Sequence, residues 1–221
     1  MIKFYPNGYE FDLKKQFVGK ALPDYDTKIV INDNDTLKAA QKLINPCCLN
    51  FASHKRPGGG YKSVINLAMP IKTQEEDLFR RSNLPELMDV PLIRNRYPLK
   101  KLEGMFTTGI VVEKDEKLNR IEPFAITMIT VPAVVNPQPE DQQLVKDKIE
   151  RILDIAAENS VQNLVLGAWG CGIFNNDPKN IANLFKNYLT NEFKGIFENV
   201  IFGIPNAKSK NYQIFEEVLR A

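Results

Sequence analysis

Two short stretches of the sequence combine residues that can bind a phosphate with residues that can supply a proton. Residues 58–60 are three consecutive glycines, which can take positive φ and bring backbone N–H groups against an anion. Thirteen intervening residues separate this triplet from Gln74, Glu75 and Glu76, two of which are carboxylic acids. A diphosphate cradle beside an acid would suit the hydrolysis of a nucleotide sugar.

Both stretches also have a purely structural interpretation. A glycine triplet is typical of a surface turn. Thr73 and Glu76 have the spacing of a capping box, which predicts a helix that begins at Gln74 with Glu76 as a capping carboxylate. At this point the structural and functional interpretations both stay open.

A second glycine loop lies far along the chain, at residues 167–176. The apolar run 164–168 predicts a strand before it, and Asp177 with Pro178 is typical of the start of a helix. A loop that enters a helix N-terminus favours phosphate, because free N–H groups and the helix macrodipole point at the ligand.

Together the two loops and the acidic stretch resemble the microbial-type poly(ADP-ribose) glycohydrolases, a branch of the macrodomain superfamily. The blocks that carry the resemblance are Ile29–Ala40, Asn50–Ser53, Pro57–Gly60, Gln74–Glu76, Ile126–Ala133 and Gly167–Pro178. They extend over roughly residues 28 to 205. The resemblance implies an α/β fold, a macrodomain-like three-layer α/β/α sandwich with a central mixed sheet.

The resemblance also implies an enzyme that hydrolyses the O-glycosidic ribose bonds of poly(ADP-ribose) or of ADP-ribose attached to proteins. Glu76 would act as acid and base, with Glu75 as the alternative and Gln74 orienting the motif. The residues that would contact the substrate are Asn50, Ser53, Gly58, Gly59, Gly60, Gln74, Gly170, Cys171, Gly172, Ile173 and Phe174. Ser53 departs from the family, in which a second asparagine is common. This glutamate mechanism needs neither a metal nor a cofactor.

The spacing between the glycine triplet and the acidic motif also departs from the family, in which the two lie closer together. Either the extra residues between Tyr61 and Thr73 protrude as a loop, or the acid is displaced. A displaced acid favours the alternative of a macrodomain that binds ADP-ribose without cutting it. Hydrolysis of a free ADP-ribose derivative, such as its acetyl ester, is a third possibility.

Cleavage at the anomeric carbon of ribose needs a proton for the leaving oxygen, stabilisation of an oxocarbenium-like state and a water. Burial beside a pyrophosphate should raise the pKa of Glu76, because burial and like charge both disfavour the carboxylate. Consecutive helical residues point about 100° apart. We therefore expect Glu75 and Glu76 not to face each other as a dyad.

Other catalytic classes lack their residues. His54 is the only histidine, and neither a Walker A sequence nor a Gly-x-Ser-x-Gly elbow occurs. The three cysteines form neither a zinc pattern nor a disulfide framework. Cys47 and Cys48 are interpreted as small apolar strand residues, and Cys171 as a small loop residue rather than a nucleophile.

Composition places the chain among ordinary globular proteins. With 221 residues, 43% of them hydrophobic, we expect a single domain over residues 1–221. The net charge of +2 indicates no nucleic-acid or membrane partner. The N-terminus lacks the apolar core of a signal peptide, so we expect the protein in the cytoplasm, or in the nucleus if the source is eukaryotic or viral. We also expect it to be a monomer.

Apolar runs alternate with helical patterns along the chain, which predicts helices on both faces of a sheet, with ligands beyond the strand C-termini. Strands are predicted at 28–31, 47–51, 107–113, 124–131, 163–168 and 199–205. Helices are predicted after Asp35 with Leu37, Ala40, Leu43 and Ile44 on one face, from Gln74, over 144–156, after Asp177 and over 212–219. The first helix and its flanking strands should form a βαβ unit.

Residues 85–104 are the main irregular stretch, since three prolines exclude a long helix. The stretch is either a solvated connection or a flap over the substrate, with Tyr97 or an arginine meeting adenine or phosphate. Contacts to adenine are placed only loosely, around Asp33 and Asp35.

Overall fold

The computed structural model describes residues 1–13, 22–63 and 73–220, and within them the chain forms a seven-stranded mixed sheet. The strands are β1 (Ile2–Tyr5), β2 (Lys28–Asn32), β3 (Pro46–Asn50), β4 (Gly104–Lys114), β5 (Arg120–Thr130), β6 (Asn163–Leu166) and β7 (Asn199–Gly203). Their order is β1-β4-β5-β3-β6-β7-β2. The pairs β1–β4 and β4–β5 are antiparallel, and all other neighbours are parallel.

Helices cover both faces of this sheet. In the described residues they are α1 (Thr36–Ala40), α2 (Gln74–Arg81), α3 (Leu84–Met88), α4 (Pro91–Arg94), α5 (Gln142–Glu158), α6 (Pro178–Thr190) and α7 (Lys210–Arg220). A short 3₁₀ turn, Pro139–Asp141, precedes α5.

The alternation of side chains along the strands explains the two-sided packing. Cys47 and Leu49 of β3 point to one face of the sheet and Cys48 to the other, as successive strand residues must. The first face packs against α5, α6 and α7, and the second against α1 to α4. The predicted three-layer sandwich is confirmed, and Cys47 and Cys48 are buried strand residues.

Three parallel strands bring three loops to one edge of the sheet. Strands β3, β6 and β7 are consecutive in the sheet, with β6 in the middle. Because their carboxyl ends meet at the same edge, the loops after Asn50, Leu166 and Gly203 start side by side. This is where the sequence predicted the ligand.

Helix capping decides where the elements nearest this edge begin. The side chains of Asp35 and Asp177 accept hydrogen bonds from backbone N–H groups in the first turns of α1 and α6. Thr73 and Glu76 form a complete capping box at α2, so the predicted start at Gln74 is confirmed. The loop predicted between Tyr61 and Thr73 falls largely on residues 64–72, which lie outside the described residues.

The structure corrects the predicted elements in three places. Strand β1, which pairs antiparallel with β4, was not predicted, because four edge residues with only Tyr5 buried carry little pattern. Strands β2 and β3 are separated in the sheet by β6 and β7, so they do not form a compact βαβ unit. Helix α1 ends at Ala40, and Ile44 is 79% exposed rather than on a buried helical face.

Within the described ranges, no helix is both long and apolar enough to cross a membrane. The same ranges contain no group of three or more His, Cys, Asp or Glu side chains that could hold a metal ion.

Close packing at the end of β6 makes Gly167 a test of the fold. A Cβ on Gly167 would lie 2.7 Å from the carbonyl oxygen of Gly203 and 2.9 Å from Cζ of Phe51. Because Gly203 contributes backbone from a central strand, Gly167→Ala should lower the free energy of unfolding by about 1 to 3 kcal/mol in urea denaturation. Gly172→Ala is the matched control, since a Cβ there would meet nothing within 4 Å. Equal stability of the two variants would contradict the described packing.

Candidate active site

A cavity of about 950 Å³ opens at the shared carboxyl edge of β3, β6 and β7. Its walls are the loop after β3, the start of α2 and the segments that follow β5, β6 and β7. Ten predicted site residues line it: Ser53, Gly59, Gly60, Gln74, Glu75, Glu76, Gly170, Gly172, Ile173 and Phe174. The volume lies in the upper part of the range of small-molecule sites.

Glu75 is a buried carboxyl group on the first turn of α2, with 2% of its surface exposed. Its Oε2 accepts the backbone N–H of Ser53 at 2.8 Å, and its Oε1 accepts Nδ2 of Asn50 at 3.2 Å. Burial raises the pKa of Glu75 to about 7, the N–H donors of Ser53, Asn50 and Gly58 oppose the rise, and the charge of Glu76 adds to it. Glu75 therefore titrates near neutrality while its position is fixed.

Glu76 has two roles, one for each oxygen. Its Oε2 accepts the N–H of Thr73 at 3.5 Å and completes the capping box, with Nη2 of Arg80 3.8 Å away. Its Oε1 accepts the N–H of Gly60 at 3.1 Å. The side chain is 7% exposed and lines the cavity. The structural and functional interpretations of Glu76 are thus compatible.

Both carboxylates meet the first glycine loop at Gly59. A Cβ on this residue would lie 3.4 Å from Oε2 of Glu75 and 3.6 Å from Oε1 of Glu76. The backbone φ of +54° also favours glycine here. We expected the two side chains to point apart, but each reaches a different N–H of the same loop, and the carboxylates converge on one wall of the cavity.

Gln74 fixes the start of α2 against the end of β3. Its Oε1 accepts the N–H of Phe51 at 2.9 Å, while its Nε2 donates to the carbonyl of Leu49 at 2.8 Å and to Oγ1 of Thr36 at 3.1 Å. All its amide atoms are engaged within the protein. This geometry agrees with the orienting role predicted for Gln74.

Asn50 is completely buried and is not among the residues that line the cavity. Its Nδ2 donates to Oε1 of Glu75 and, at 3.5 Å, to Oγ1 of Thr130. Its Oδ1 is buried and has no hydrogen-bond partner within the described residues, so the contact between Asn50 and ribose stays a prediction. Through Nδ2 the side chain fixes the position of Glu75.

Two further residues that were predicted to touch the substrate, Gly58 and Cys171, are also absent from the cavity lining. A Cβ on Gly58 would lie 2.6 Å from ring carbons of Phe79 and Tyr61, so glycine is needed there for packing. Burial raises the pKa of the Cys171 thiol to about 12, which does not suit a nucleophile.

Asn176 shapes the second glycine loop, although the sequence analysis gave it no role. It is 4% exposed, and its Nδ2 donates to the carbonyls of Val134 at 2.8 Å, Gly170 at 3.1 Å and Phe174 at 3.3 Å. Gly170 has φ +75°, and a Cβ there would lie 2.7 Å from Nδ2 of Asn176. The one available signal was the position of this asparagine immediately before the helix cap Asp177.

Part of the cavity lining comes from residues to which the sequence gave no role. They include Phe51, Val135, Ile204, Pro205, Ser209 and Asn211. The last four follow β7, whose place beside β6 was not predicted. Asp33 and Asp35, around which we placed adenine, do not line the cavity, and Asp35 pairs with Arg81 at 3.1 Å.

Residues 85–104 are all described, and none of them lines the cavity. Tyr97 packs against the buried cluster on the second face of the sheet, and Arg94 pairs with Asp89. The prolines limit this stretch to the short helices α3 and α4, as predicted. The geometry favours a connection over a flap.

Comparisons with known proteins agree with this architecture. Residues 2–106 match the family model described as the catalytic domain of microbial-type poly(ADP-ribose) glycohydrolase. No curated protein matches the chain. The poly(ADP-ribose) glycohydrolase of Deinococcus radiodurans, solved in complex with ADP-ribose, is 27% identical with a TM-score of 0.84, covering 99% of this chain and 94% of that chain.

The poly(ADP-ribose) glycohydrolase of Thermomonospora curvata is similar as well. It is 28% identical with a TM-score of 0.81, covering 98% of this chain and 85% of that chain. Its complex with the inhibitor ADP-HPD has a TM-score of 0.78 at 28% identity, covering 98% of this chain and 84% of that chain.

The sheet order, the paired glycine loops and the buried glutamates define a macrodomain-like α/β sandwich with a ligand cavity at its carboxyl edge. Within that class, the comparisons confirm the resemblance of this chain to the microbial-type poly(ADP-ribose) glycohydrolases. The matched residues 2–106 include the first glycine loop and both glutamates, and the structural match extends to the second loop.

Glu75 should make stability depend on pH within a defined window. Its pKa is about 7 in the folded protein against an ordinary value of 4.5, so the folded state binds more protons between these values. The contribution of Glu75 to the free energy of unfolding should therefore fall as pH rises through the window, by about 3 kcal/mol at most.

Glu75→Gln removes this titration and leaves every other titratable group in place. Measured by urea denaturation at a series of pH values, the stability of the variant relative to wild type should increase from about pH 4.5 to 7 and be constant above. Stability profiles that run parallel across the window would contradict the buried, titrating carboxyl group.

Proposed function

We propose that this protein is an ADP-ribose glycohydrolase that cleaves the O-glycosidic ribose bonds of poly(ADP-ribose). The observation that carries the proposal is the pair of buried glutamates, both hydrogen-bonded to segment 53–60 and both lining the cavity. The solved proteins with the same architecture are poly(ADP-ribose) glycohydrolases, one of them in complex with ADP-ribose.

The two glycine loops supply the phosphate-binding part of the site. Gly59 and Gly60 line the cavity from the first loop, and Gly170 and Gly172 line it from the second. The N–H groups of Gly58 and Gly60 already donate to Glu75 and Glu76, so the first loop contributes space for a diphosphate rather than donors. The second loop, where Gly172 has open surroundings, is the one that can offer backbone N–H groups to the diphosphate. Phe174, on the same wall as the second pair, offers an apolar face to ribose.

Glu76 supplies the acid and the base. In protonated form it gives its proton to the leaving oxygen as the bond to the anomeric carbon breaks. A water then attacks the oxocarbenium-like centre and returns a proton to Glu76. The capping contact to Thr73 holds one oxygen of the carboxyl group while the other lies on the cavity side, beside Gly60.

Glu75 supports the reaction from a fixed position. Its oxygens are held by the N–H groups of Ser53 and Asn50, and its pKa near 7 places it between charged and neutral forms at physiological pH. As an anion it stabilises the positive charge that develops on ribose. The variants described below distinguish this role from the alternative in which Glu75 is itself the acid.

Glu76 lies beside the glycine triplet despite the long spacing between the two motifs. Oε1 of Glu76 lies 3.1 Å from the backbone nitrogen of Gly60, although thirteen residues separate Gly60 from Gln74 in the sequence. The spacing therefore no longer favours a macrodomain that binds ADP-ribose without cutting it.

We also propose that the ADP-ribose taken by the enzyme includes units attached to proteins. A terminal ribose held at Glu76 leaves its acceptor at the mouth of the cavity, where a protein side chain can stand in place of the next unit. We further propose that the enzyme acts as a monomer inside the cell, which size-exclusion chromatography and localisation of the tagged protein would test.

Glu76→Gln should reduce turnover of poly(ADP-ribose) by at least about 100-fold, the effect expected when a general acid is removed. Affinity for ADP-ribose should stay within a few fold, because glutamine keeps the volume and suits the capping box. Release of free ADP-ribose gives the turnover, and calorimetry gives the affinity.

Two companion variants assign the roles of the glutamates. Glu75→Gln should lower turnover less than Glu76→Gln. Asp77→Asn removes a negative charge from the same helix outside the cavity and should leave turnover unchanged. Full activity in Glu76→Gln together with a large loss in Glu75→Gln would transfer the acid role to Glu75. A wild type that binds ADP-ribose without turnover would establish the binding module instead.

Gly172→Val tests the phosphate-binding role of the second loop. A Cβ at this position meets nothing within 4 Å, so the variant should keep wild-type stability. Its side chain would stand where the diphosphate should lie, and we expect ADP-ribose affinity to fall at least about tenfold in calorimetry. Gly8→Val is the matched control, because Gly8 also has open surroundings and lies outside the cavity lining. Wild-type affinity in Gly172→Val would reduce the loop to a structural turn.

A further inference from the structure

Three exposed basic residues, which we call the basic rim, lie on two neighbouring segments, one of which lines the cavity. They are Lys55 and Arg56, in the loop after β3, and Lys100, which follows α4. The N–H of Leu99 donates to the carbonyl of His54 at 2.8 Å, so the two segments lie side by side. Lys55 and Arg56 also line the cavity.

The basic rim lies at the carboxylate end of the cavity. Segment 53–60 is hydrogen-bonded at its first residue to Glu75 and at its last residue to Glu76. Lys55 and Arg56 fall between these two anchors. They are therefore near the two glutamates.

The charges of the basic rim are not neutralised by neighbouring side chains. In the part of the chain that the structure describes, no carboxylate lies within ion-pair distance of Lys55, Arg56 or Lys100. Glu103 faces Lys100 only through the backbone, since its Oε2 accepts the N–H of Lys100 at 2.7 Å.

A buried cation behind the rim adds to the positive potential. Lys148 is 4% exposed, and its Nζ donates to the carbonyls of Pro132, at 2.9 Å, and Lys101. Its influence reaches the mouth: burial lowers the pKa of His54, and the charges of Lys55 and Lys148 lower it further. Positive charge gathered at the mouth in this way favours the approach of an anion.

We propose that the basic rim binds the diphosphate of the second ADP-ribose unit of the polymer. This inference rests on the proposed function. If the terminal unit fills the cavity with its ribose at the glutamates, the chain must leave at the mouth, where the rim stands. Each further unit carries another diphosphate, so the rim gives the enzyme a preference for polymer over a single ADP-ribose.

The test compares two substrates that differ in the second diphosphate. One is poly(ADP-ribose), and the other is ADP-ribose with a neutral aryl group on its distal anomeric oxygen. In the double variant Lys55→Ala/Arg56→Ala, kcat/KM should fall about tenfold on the polymer and stay within about twofold on the aryl substrate. The slope of log kcat/KM against log salt on the polymer should become shallower by about 0.7 for each phosphate that the rim no longer neutralises.

The matched control is Lys117→Ala/Arg120→Ala, which removes the same charge from the exposed β4–β5 hairpin, away from the cavity lining. It should behave as wild type on both substrates. An equal loss on both substrates in the rim variant, an unchanged polymer rate, or an equal loss in the control would overturn the basic rim as a second-unit site while leaving the hydrolase intact. A wild type inactive on both substrates would overturn the proposed function as well.

Discussion

The site depends on the attachment of one loop to two consecutive glutamates. Backbone N–H groups at the two ends of segment 53–60 donate to Glu75 and Glu76, at 2.8 Å and 3.1 Å. This pair of hydrogen bonds fixes the glycine triplet, sets the direction of both carboxylates and places the basic residues between them at the mouth. A change in the register of α2 by one residue would break both hydrogen bonds at once.

The attachment constrains the elements on either side of it. Helix α2 must start at Gln74, which the capping box between Thr73 and Glu76 ensures. The start of the loop after β3 must also be fixed relative to α2. The side chain of Gln74 does this through its hydrogen bonds to the backbone of Phe51 and Leu49. Burial disfavours the charged form of Glu75, and its N–H donors offset only part of this cost. The pKa of Glu75 is therefore raised.

Much of the site could be predicted because its signals are local. The glycine triplet, the caps at Thr73 and Asp177 and the Gln-Glu-Glu run all depend on residues within a few positions of one another, and the structure confirms the helix starts that they indicate. Local spacing also explains why the number of residues before α2 did not matter, since the cap fixes the helix independently of what precedes it.

The remaining features depend on contacts that are distant in sequence. The burial of Asn50 behind Glu75, the lining residues after β7 and the pairing of β1 with β4 follow from strand order, which no local pattern encodes. The convergence of the two carboxylates has the same origin. Helical geometry gives the direction of Cβ, whereas the N–H groups of an incoming loop decide where each carboxylate ends.

A crystal structure of the protein with ADP-ribose is the most direct test of the central claim, that the glycine loops and the glutamates form one site for this ligand. The account predicts the diphosphate between the two glycine loops and an oxygen of Glu76 within about 5 Å of the distal anomeric hydroxyl, close enough for one bridging water. ADP-ribose bound with its distal ribose at the wall after β7, or with Glu76 beyond about 10 Å and turned to solvent, would contradict it.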